Sequence, residues 1–284
     1  VSEMNVFKTI CCSFILLPLL LTHCFFKLNQ PIPDLRIKGS DTMHLMMKNL
    51  AIEFMKQHPG ISIQVDGGGT GGGIKALIQG KVEICAASRV INPTETRIIA
   101  RKYRRLGVYS IIARDALSIY INPKNPIRNL TIKQLKQIFS GEISNWQEVG
   151  GENHSIHVLI RPPSSGTYFY FQEYILEFES YVSNARTIDS TEAIIREIMK
   201  NPYAIGYGGM AFGSPEYHIQ VNGINPSIEN VRYDLYPLSR YLYLYTIKKP
   251  VGLAKEFIDW TMSPEGQRMV EQAGFLPLWN PDEL

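Results

Sequence analysis

Six of the seven residues from Gly67 to Gly73 are glycine, in the stretch QVDGGGTGGGIK that runs from Gln64 to Lys75. The run follows the apolar stretch ISIQV and precedes IKALIQG, where a strand hands over to a helix. Free N–H groups at a helix N-terminus and the helix dipole together attract negative charge. Glycine lets the backbone approach a ligand with no Cβ in the way. A flexible surface loop is the competing reading of the run alone. Two further strand-to-helix junctions, Gly39-Ser40-Asp41-Thr42 and Ser164-Ser165-Gly166-Thr167, are small and rich in hydroxyls. Each alone reads as an ordinary N-cap, but three in one chain suggest one shared anion. Arg161 ends the strand HVLIR four residues before Ser165. A guanidinium there can reach the same helix start and grip an oxyanion with two N–H bonds; a surface or interdomain salt bridge is the alternative. Ser88 and Arg89 follow the strand VEICAA at the carboxyl edge, where open α/β sheets bind ligands. Their plain readings are a turn residue and a partner for a nearby acid.

Other chemistries fit less well. Gly67, Gly69 and Gly72 satisfy the dinucleotide fingerprint G-x-G-x-x-G in the right context, and Ser88-Arg89 would suit a 2′-phosphate, so an NADP-linked oxidoreductase is the rival from a different class. That reading leaves the other two hydroxyl-rich junctions unexplained. A phosphate-cradling P-loop is excluded because Gly73 is followed by Ile74, not by Lys and Ser or Thr. His154 and His157 lack Cys or acidic neighbours at metal-ligand spacing and read as surface histidines. No G-x-S-x-G elbow is present, and little else in the sequence suggests an enzyme. Tyr168, Phe169, Tyr170 and Phe171 divide between core and domain interface, with stacking on a ligand as the lesser reading.

These loops need a frame to bring them together. RIKGSDTM starts a strand and a helix running to about Gln57; ISIQV, a helix from Ile74 to Gln79, and VEICAAS follow, which is βαβαβ patterning with a mainly parallel sheet. A second set runs from ALSIYIN through TIKQLKQIFSG, HVLIR, SSGTYFYF and STEAIIREIMK to AIGYGG. The chain ends with a strand YLYLYTI, a helix KEFIDWTM and a last helix opened by Ser263-Pro264. Its 284 residues, 45% hydrophobic, suffice for one large domain or two medium ones. Lys and Arg number 29 against 26 Asp and Glu, a balance too weak for a nucleic-acid binder but compatible with a small anion.

The N-terminal stretch reads as an export signal covering residues 1–24, with Lys8 before an apolar run from Ile10 to Leu21 that is too short for a comfortable membrane span. Leu21-Thr22-His23-Cys24 resembles a lipoprotein cleavage motif, with His23 where the pattern has a small residue; lipidation at Cys24, an uncleaved anchor and a plain cleaved signal all stay open. Cys11, Cys12 and Cys24 fall within this stretch, so Cys85 is left alone as a buried strand thiol.

From about Leu35 to Leu278 the chain resembles the phosphate-binding proteins of bacterial phosphate ABC importers, in their short form. The stretches that carry the likeness are IKGSDTM, DGGGTGGGIKALIQG, EICAASR, RDALSIYINPKNPIRNLT, IFSGEISNW, the Arg161 and SSGT pair, AIGYGGMAF, YPLSRYLYLYT and SPEGQRMVEQAGFLPL. The resemblance implies an α/β fold of the two-lobed periplasmic-binding-protein type II, with crossover strands near Ile112 to Tyr120 and Tyr236 to Tyr245 as hinges. Residues 33–114 with 242–284 would form one lobe and 115–241 the other. Phosphate would be clamped by Ser40, Asp41 and Thr42, by Thr70 and Gly71, by Ser88 and Arg89, and by Arg161, Ser165, Gly166 and Thr167. Gly72 stands where the short form commonly has a second hydroxyl, Pro162-Pro163 where it has polar residues, and Arg89 where the long form has Asp. Asp41 is the only acid in the four loops; as an ionised acceptor it would match the proton that phosphate carries and sulfate lacks, while capping of its helix is its other reading. The family implies a monomeric extracytoplasmic carrier that delivers to a membrane ABC permease, with no cofactor and no metal. Another tetrahedral oxyanion is the nearest alternative ligand.

Overall fold

The computed structural model describes residues 33–280, so the export segment and Cys24 lie outside the described residues. The chain opens with β1 (Leu35–Gly39), α1 (Asp41–Gln57), β2 (Ile63–Asp66), α2 (Gly69–Gln79), β3 (Ile84–Ala87) and α3 (Pro93–Tyr103). A long strand, β4 (Val108–Ile121), leads to β5 (Asn129–Leu130), α4 (Ile132–Ser140), β6 (His157–Ile160), α5 (Gly166–Tyr174), β7 (Arg186–Thr187), α6 (Thr191–Lys200), β8 (Ala204–Gly209), β9 (Gln220–Val221) and α7 (Ile228–Arg232). Last come β10 (Ser239–Thr246), α8 (Gly252–Thr261) and α9 (Pro264–Gln272).

Several of these elements begin earlier than the sequence suggests, β10 at Ser239 and α8 at Gly252 among them, and α2 and β4 by the most. α2 starts inside the glycine run, at Gly69 rather than Ile74. Glycine is a poor helix former, but α2 packs so closely on β1 that a Cβ at Gly73 would lie 2.5 Å from the Lys38 carbonyl and 2.7 Å from Gly39 Cα. Close packing therefore overrides propensity. β4 begins at Val108, not Ala116, because VYSIIARD pairs along β10 from Thr246 to Arg240. Sequence reading also passed over α3, although Asn92, Pro93 and Glu95 form a capping box with proline at the first helical position.

The sheet has eight strands in the order β2-β1-β3-β10-β4-β8-β6-β7. β1 pairs parallel with both β2 and β3, and β6 pairs parallel with β7 and β8. Between these parallel wings β10 and β4 run antiparallel. β4 is shared: up to Ala116 it pairs with β10, and from Leu117 onward with β8. Each wing has its own core. Leu35, Ile37, Met43, Leu50 and Phe54 pack with Leu242, Phe257, Val270 and Phe275, which sets α8 and α9 against α1. Leu117, Ile119, Leu135, Phe139, Trp146, Phe171 and Tyr207 pack with Tyr236 and Leu238. Fully burying a large apolar side chain contributes roughly 1.5–3 kcal/mol, so each cluster can hold its half together. The fold is the α/β two-lobed periplasmic-binding-protein type, with β4 and β10 passing between the halves.

Candidate functional site

Most helices of this chain close their own N-termini with a side chain. Asn92, Thr131, Ser190, Ser227 and Ser263 each accept a backbone N–H at the start of α3, α4, α6, α7 and α9. α1 and α2 differ. Ser40 is the N-cap of α1, a position its type suits, yet its hydroxyl makes no cap bond and donates instead to Ser88 Oγ at 3.0 Å. α2 is preceded by Gly68, which has no side chain to offer. Thr70 Oγ1 accepts the Ser88 N–H at 3.2 Å and lies 3.3 Å from Ser88 Oγ. Ser40, Ser88 and Thr70 are all buried. Three hydroxyls from three β-to-α junctions thus form one chain beneath two helix starts.

Arg161 comes from the opposite wing and is completely buried. Its Nη1 donates to Thr191 Oγ1 at 3.1 Å, and its Nη2 donates to the Asp189 carbonyl at 2.9 Å and to Asp41 Oδ2 at 3.1 Å. Its Nε has no partner among the described residues. Burial pushes the Arg161 pKa down while Asp41 pushes it back up, and an arginine stays charged regardless. Asp41 bonds outside its own helix: Oδ1 accepts the Gly68 N–H at 2.8 Å and Oδ2 takes the Arg161 bond. The carboxylate therefore joins the glycine run to the buried cation.

The two wings meet across the helix starts. Ser165 caps α5 by accepting the Thr167 N–H at 3.2 Å. Thr167 Oγ1 lies 3.2 Å from Thr42 Oγ1. A Cβ on Gly166 would stand 2.4 Å from Thr70 Oγ1 and 2.5 Å from Ser88 Oγ. The Gly71 N–H donates to the Ser164 carbonyl at 3.1 Å, so this amide serves the contact between the wings. Arg89 is held in a bidentate pair by Glu95, with both bonds at 2.8 Å, and lies 5.0 Å from the centre of the Phe169 ring. Ser40, Asp41, Thr42, Thr70, Ser88, Arg161, Ser165, Gly166 and Thr167 are thereby gathered in one place, with Gly71 and Arg89 at its margin.

The rival dinucleotide reading fares poorly in this geometry. A Cβ at Gly69 would be 2.4 Å from the Ser164 carbonyl, so the other wing lies where a pyrophosphate would approach. Glu95 holds the arginine that would read a 2′-phosphate. Among the described residues no group of three or more His, Cys, Asp or Glu could hold a metal ion. His154 stacks on Tyr203 with ring centres 3.9 Å apart, and His157 bonds to Asn201. Phe171 and Tyr170 are core residues, and burial pushes the Cys85 thiol pKa up.

Two charged residues that sequence reading missed lie directly beside the site. Asp115 on β4 and Arg240 on β10 are register partners and form a buried ion pair. Arg240 Nη1 donates to Thr167 Oγ1 at 3.1 Å and Nη2 reaches Thr42 Oγ1 at 3.5 Å. The available signal was Arg114 and Asp115 in the apolar run ARDALSIYI and Arg240 in LSRYLYLY, but nothing local says that Asp115 and Arg240 face each other.

Comparison with known proteins agrees with this geometry. The family model described as a PBP superfamily domain matches residues 28–265. The phosphate-binding protein PstS of Bacillus subtilis is 32% identical over 248 residues, covering 86% of this chain and 81% of the relative. Among solved structures, a protein from Clostridium perfringens assigned as a phosphate ABC transporter substrate-binding protein, with bound phosphate, superposes with a TM-score of 0.80 at 29% identity, covering 86% of this chain and 99% of that one. An ABC-type phosphate transport receptor from Vibrio cholerae superposes with a TM-score of 0.73 at 27% identity, covering 86% and 99%. Two uncapped helix starts, a chain of buried hydroxyls and a buried arginine with an unpaired N–H are thus set in a fold shared along nearly the whole described chain, and the protein belongs to the PBP superfamily, in the family of phosphate-binding proteins.

Proposed function

We propose that this protein is an extracytoplasmic receptor that captures inorganic phosphate between its two lobes and delivers it to a membrane ABC permease, without catalysing a reaction. The observation that carries the reading is the convergence of fully buried Arg161, its Nε unpaired, with the starts of α1 and α2, neither of which has a side-chain cap. A buried cation needs an anionic partner, and Asp41 satisfies only one of its N–H groups. Ser40, Thr42, Thr70, Ser88 and Thr167 supply hydroxyls, Ser165 and Gly166 open α5, and Asp41 accepts the proton that phosphate retains. Gly71 and Arg89 serve as margin: one joins the wings, the other anchors the loop after β3 through Glu95.

The lobes of this reading are residues 33–114 with 242–284, and 115–241. β4 and β10 are the hinge strands, about which closure would present a surface to the permease. No helix among the described residues is long and apolar enough to cross a membrane. Separately, the likeness of Leu21-Thr22-His23-Cys24 to a lipoprotein cleavage motif supports lipid on Cys24 as the anchor of a monomeric protein. Mass spectrometry that finds an unmodified N-terminus beyond Cys24 would remove the anchor and leave the receptor reading intact. Calorimetry of the chain from residue 33 onward against phosphate, sulfate, molybdate and NADPH tests the function. Phosphate binding far tighter than the other three is expected. Preference for sulfate or molybdate would move the reading to another tetrahedral oxyanion, and NADPH binding alone would overturn it.

A further inference from the structure

The ion pair between Asp115 and Arg240 sits where strand packing alone would favour apolar side chains. Asp115 is 0% exposed and Arg240 6%. Arg240 Nε and Nη2 both donate to Asp115 Oδ2, at 3.0 and 2.7 Å. Withdrawing two charges from water carries a penalty that their attraction only partly offsets, so a further role for the pair is worth seeking. Its remaining bonds indicate one. Nη1 and Nη2 reach Thr167 Oγ1 and Thr42 Oγ1, hydroxyls on the starts of α5 and α1, which belong to opposite wings. The Tyr170 ring, one turn along α5, covers the guanidinium at 5.5 Å.

A hydroxyl carries a single proton. An oxygen that accepts from a guanidinium must turn that proton toward another acceptor; Thr42 and Thr167 lie 3.2 Å apart, so one hydroxyl can donate to the other, and the second is left to donate to whatever lies between the two helix starts. We propose that Arg240, oriented by Asp115, is a positioning residue that sets the Thr42–Thr167 hydroxyl pair to donate to the bound oxyanion and ties the two, one from each wing, to the crossover strands. The inference rests on the phosphate reading of the site. It goes further by making specificity depend on a pair that touches no ligand: a hydroxyl pair held as donor matches an unprotonated oxygen, which leaves the proton of phosphate for Asp41.

The test is a coupling cycle on phosphate affinity, measured by calorimetry, with Arg240→Gln made in the native background and in Thr42→Val/Thr167→Val. Arg240→Gln should weaken phosphate binding about tenfold or more in the native background and less than about threefold once the hydroxyls are gone. Equal losses in both backgrounds would overturn the inference while sparing the site. If Thr42→Val/Thr167→Val itself leaves affinity unchanged, the site reading fails and takes the inference with it. Because an unpaired buried Asp115 could unfold Arg240→Gln, the neutral pair Asp115→Asn/Arg240→Gln is measured alongside, with circular dichroism and the melting temperature of the phosphate-free protein. That variant should fold and still bind phosphate about tenfold or more weakly. Native affinity in it would overturn the inference.

Discussion

Three N–H groups of Arg161 are bonded, to Thr191, Asp189 and Asp41, while Nε has no partner, and Asp41 is its ion-pair partner among the described residues. A charge-assisted hydrogen bond contributes roughly 1.5–3 kcal/mol, so Arg161→Ala should weaken phosphate binding about tenfold to a few hundredfold. Calorimetry giving an affinity within twofold of native would remove Arg161 from the site. Asp41 allows a finer test. Ser40 precedes it as N-cap, and both Asp41 oxygens bond outside α1, which weighs against a purely capping role. Asp41→Asn should narrow the preference for phosphate over sulfate, because an amide no longer repels an anion that lacks a proton. A small loss of stability with an unchanged ratio of the two affinities would return Asp41 to a local structural role. These residues could be read from sequence because each lies next to a strand-to-helix junction, where short spacing implies shared space. Asp115 and Arg240 could not, since 125 positions separate them and only the β4 to β10 register brings them together.

Among the elements, close approach decides where the sequence expectation fails: of α2 to β1 within one wing, and of the helix starts to each other between the wings. The glycine run reads as a loop with a helix after it, yet α2 already begins at Gly69, because α2 is held against β1 by contacts that only glycine allows. The alternation of strands and helices was legible; the reach of β4 was not, since its first half is exposed at several positions and gains its regularity from β10. Gly166 turns this close approach into a measurement. Its backbone has no positive φ, so alanine fits α5 itself. The added Cβ would nevertheless lie 2.4–2.5 Å from the Thr70 and Ser88 hydroxyls of the other wing. Gly166→Ala should therefore hinder closure more than folding: phosphate affinity should fall about tenfold or more while the melting temperature of the phosphate-free protein changes by no more than a few degrees. Native affinity would mean that the wings need not approach this closely to hold the anion, and a large fall in melting temperature would make Gly166 a folding residue.

For the whole molecule, the described arrangement is a closed one. Gly71 bonds to Ser164, Asp41 to Arg161, and Thr42 lies against Thr167, each contact crossing between wings that have separate cores. Such contacts bring helix starts and a buried cation together around Asp41, the carboxylate bonded to Arg161, and further negative charge there would favour them. The alternation of elements made two lobes legible, but the closeness of their approach depends on side chains from distant segments and could not be read locally. If phosphate supplies that charge, it should bind the closed form in preference to an open one and shift the population toward it. Removing phosphate should then enlarge the radius of gyration measured by small-angle scattering, and restoring it should bring the value back to that of the structure described here. The same preference stabilises the fold. At a phosphate concentration about a thousand times Kd, binding adds about 4 kcal/mol, which for a domain of this size raises the melting temperature by on the order of ten degrees. Arg161→Ala should lose most of both effects at the same phosphate concentration, because it removes the cation that favours the anion. A native radius that does not respond to phosphate would show that binding proceeds without lobe motion, and an equal rise in melting temperature in Arg161→Ala would place the stabilising anion elsewhere on the protein.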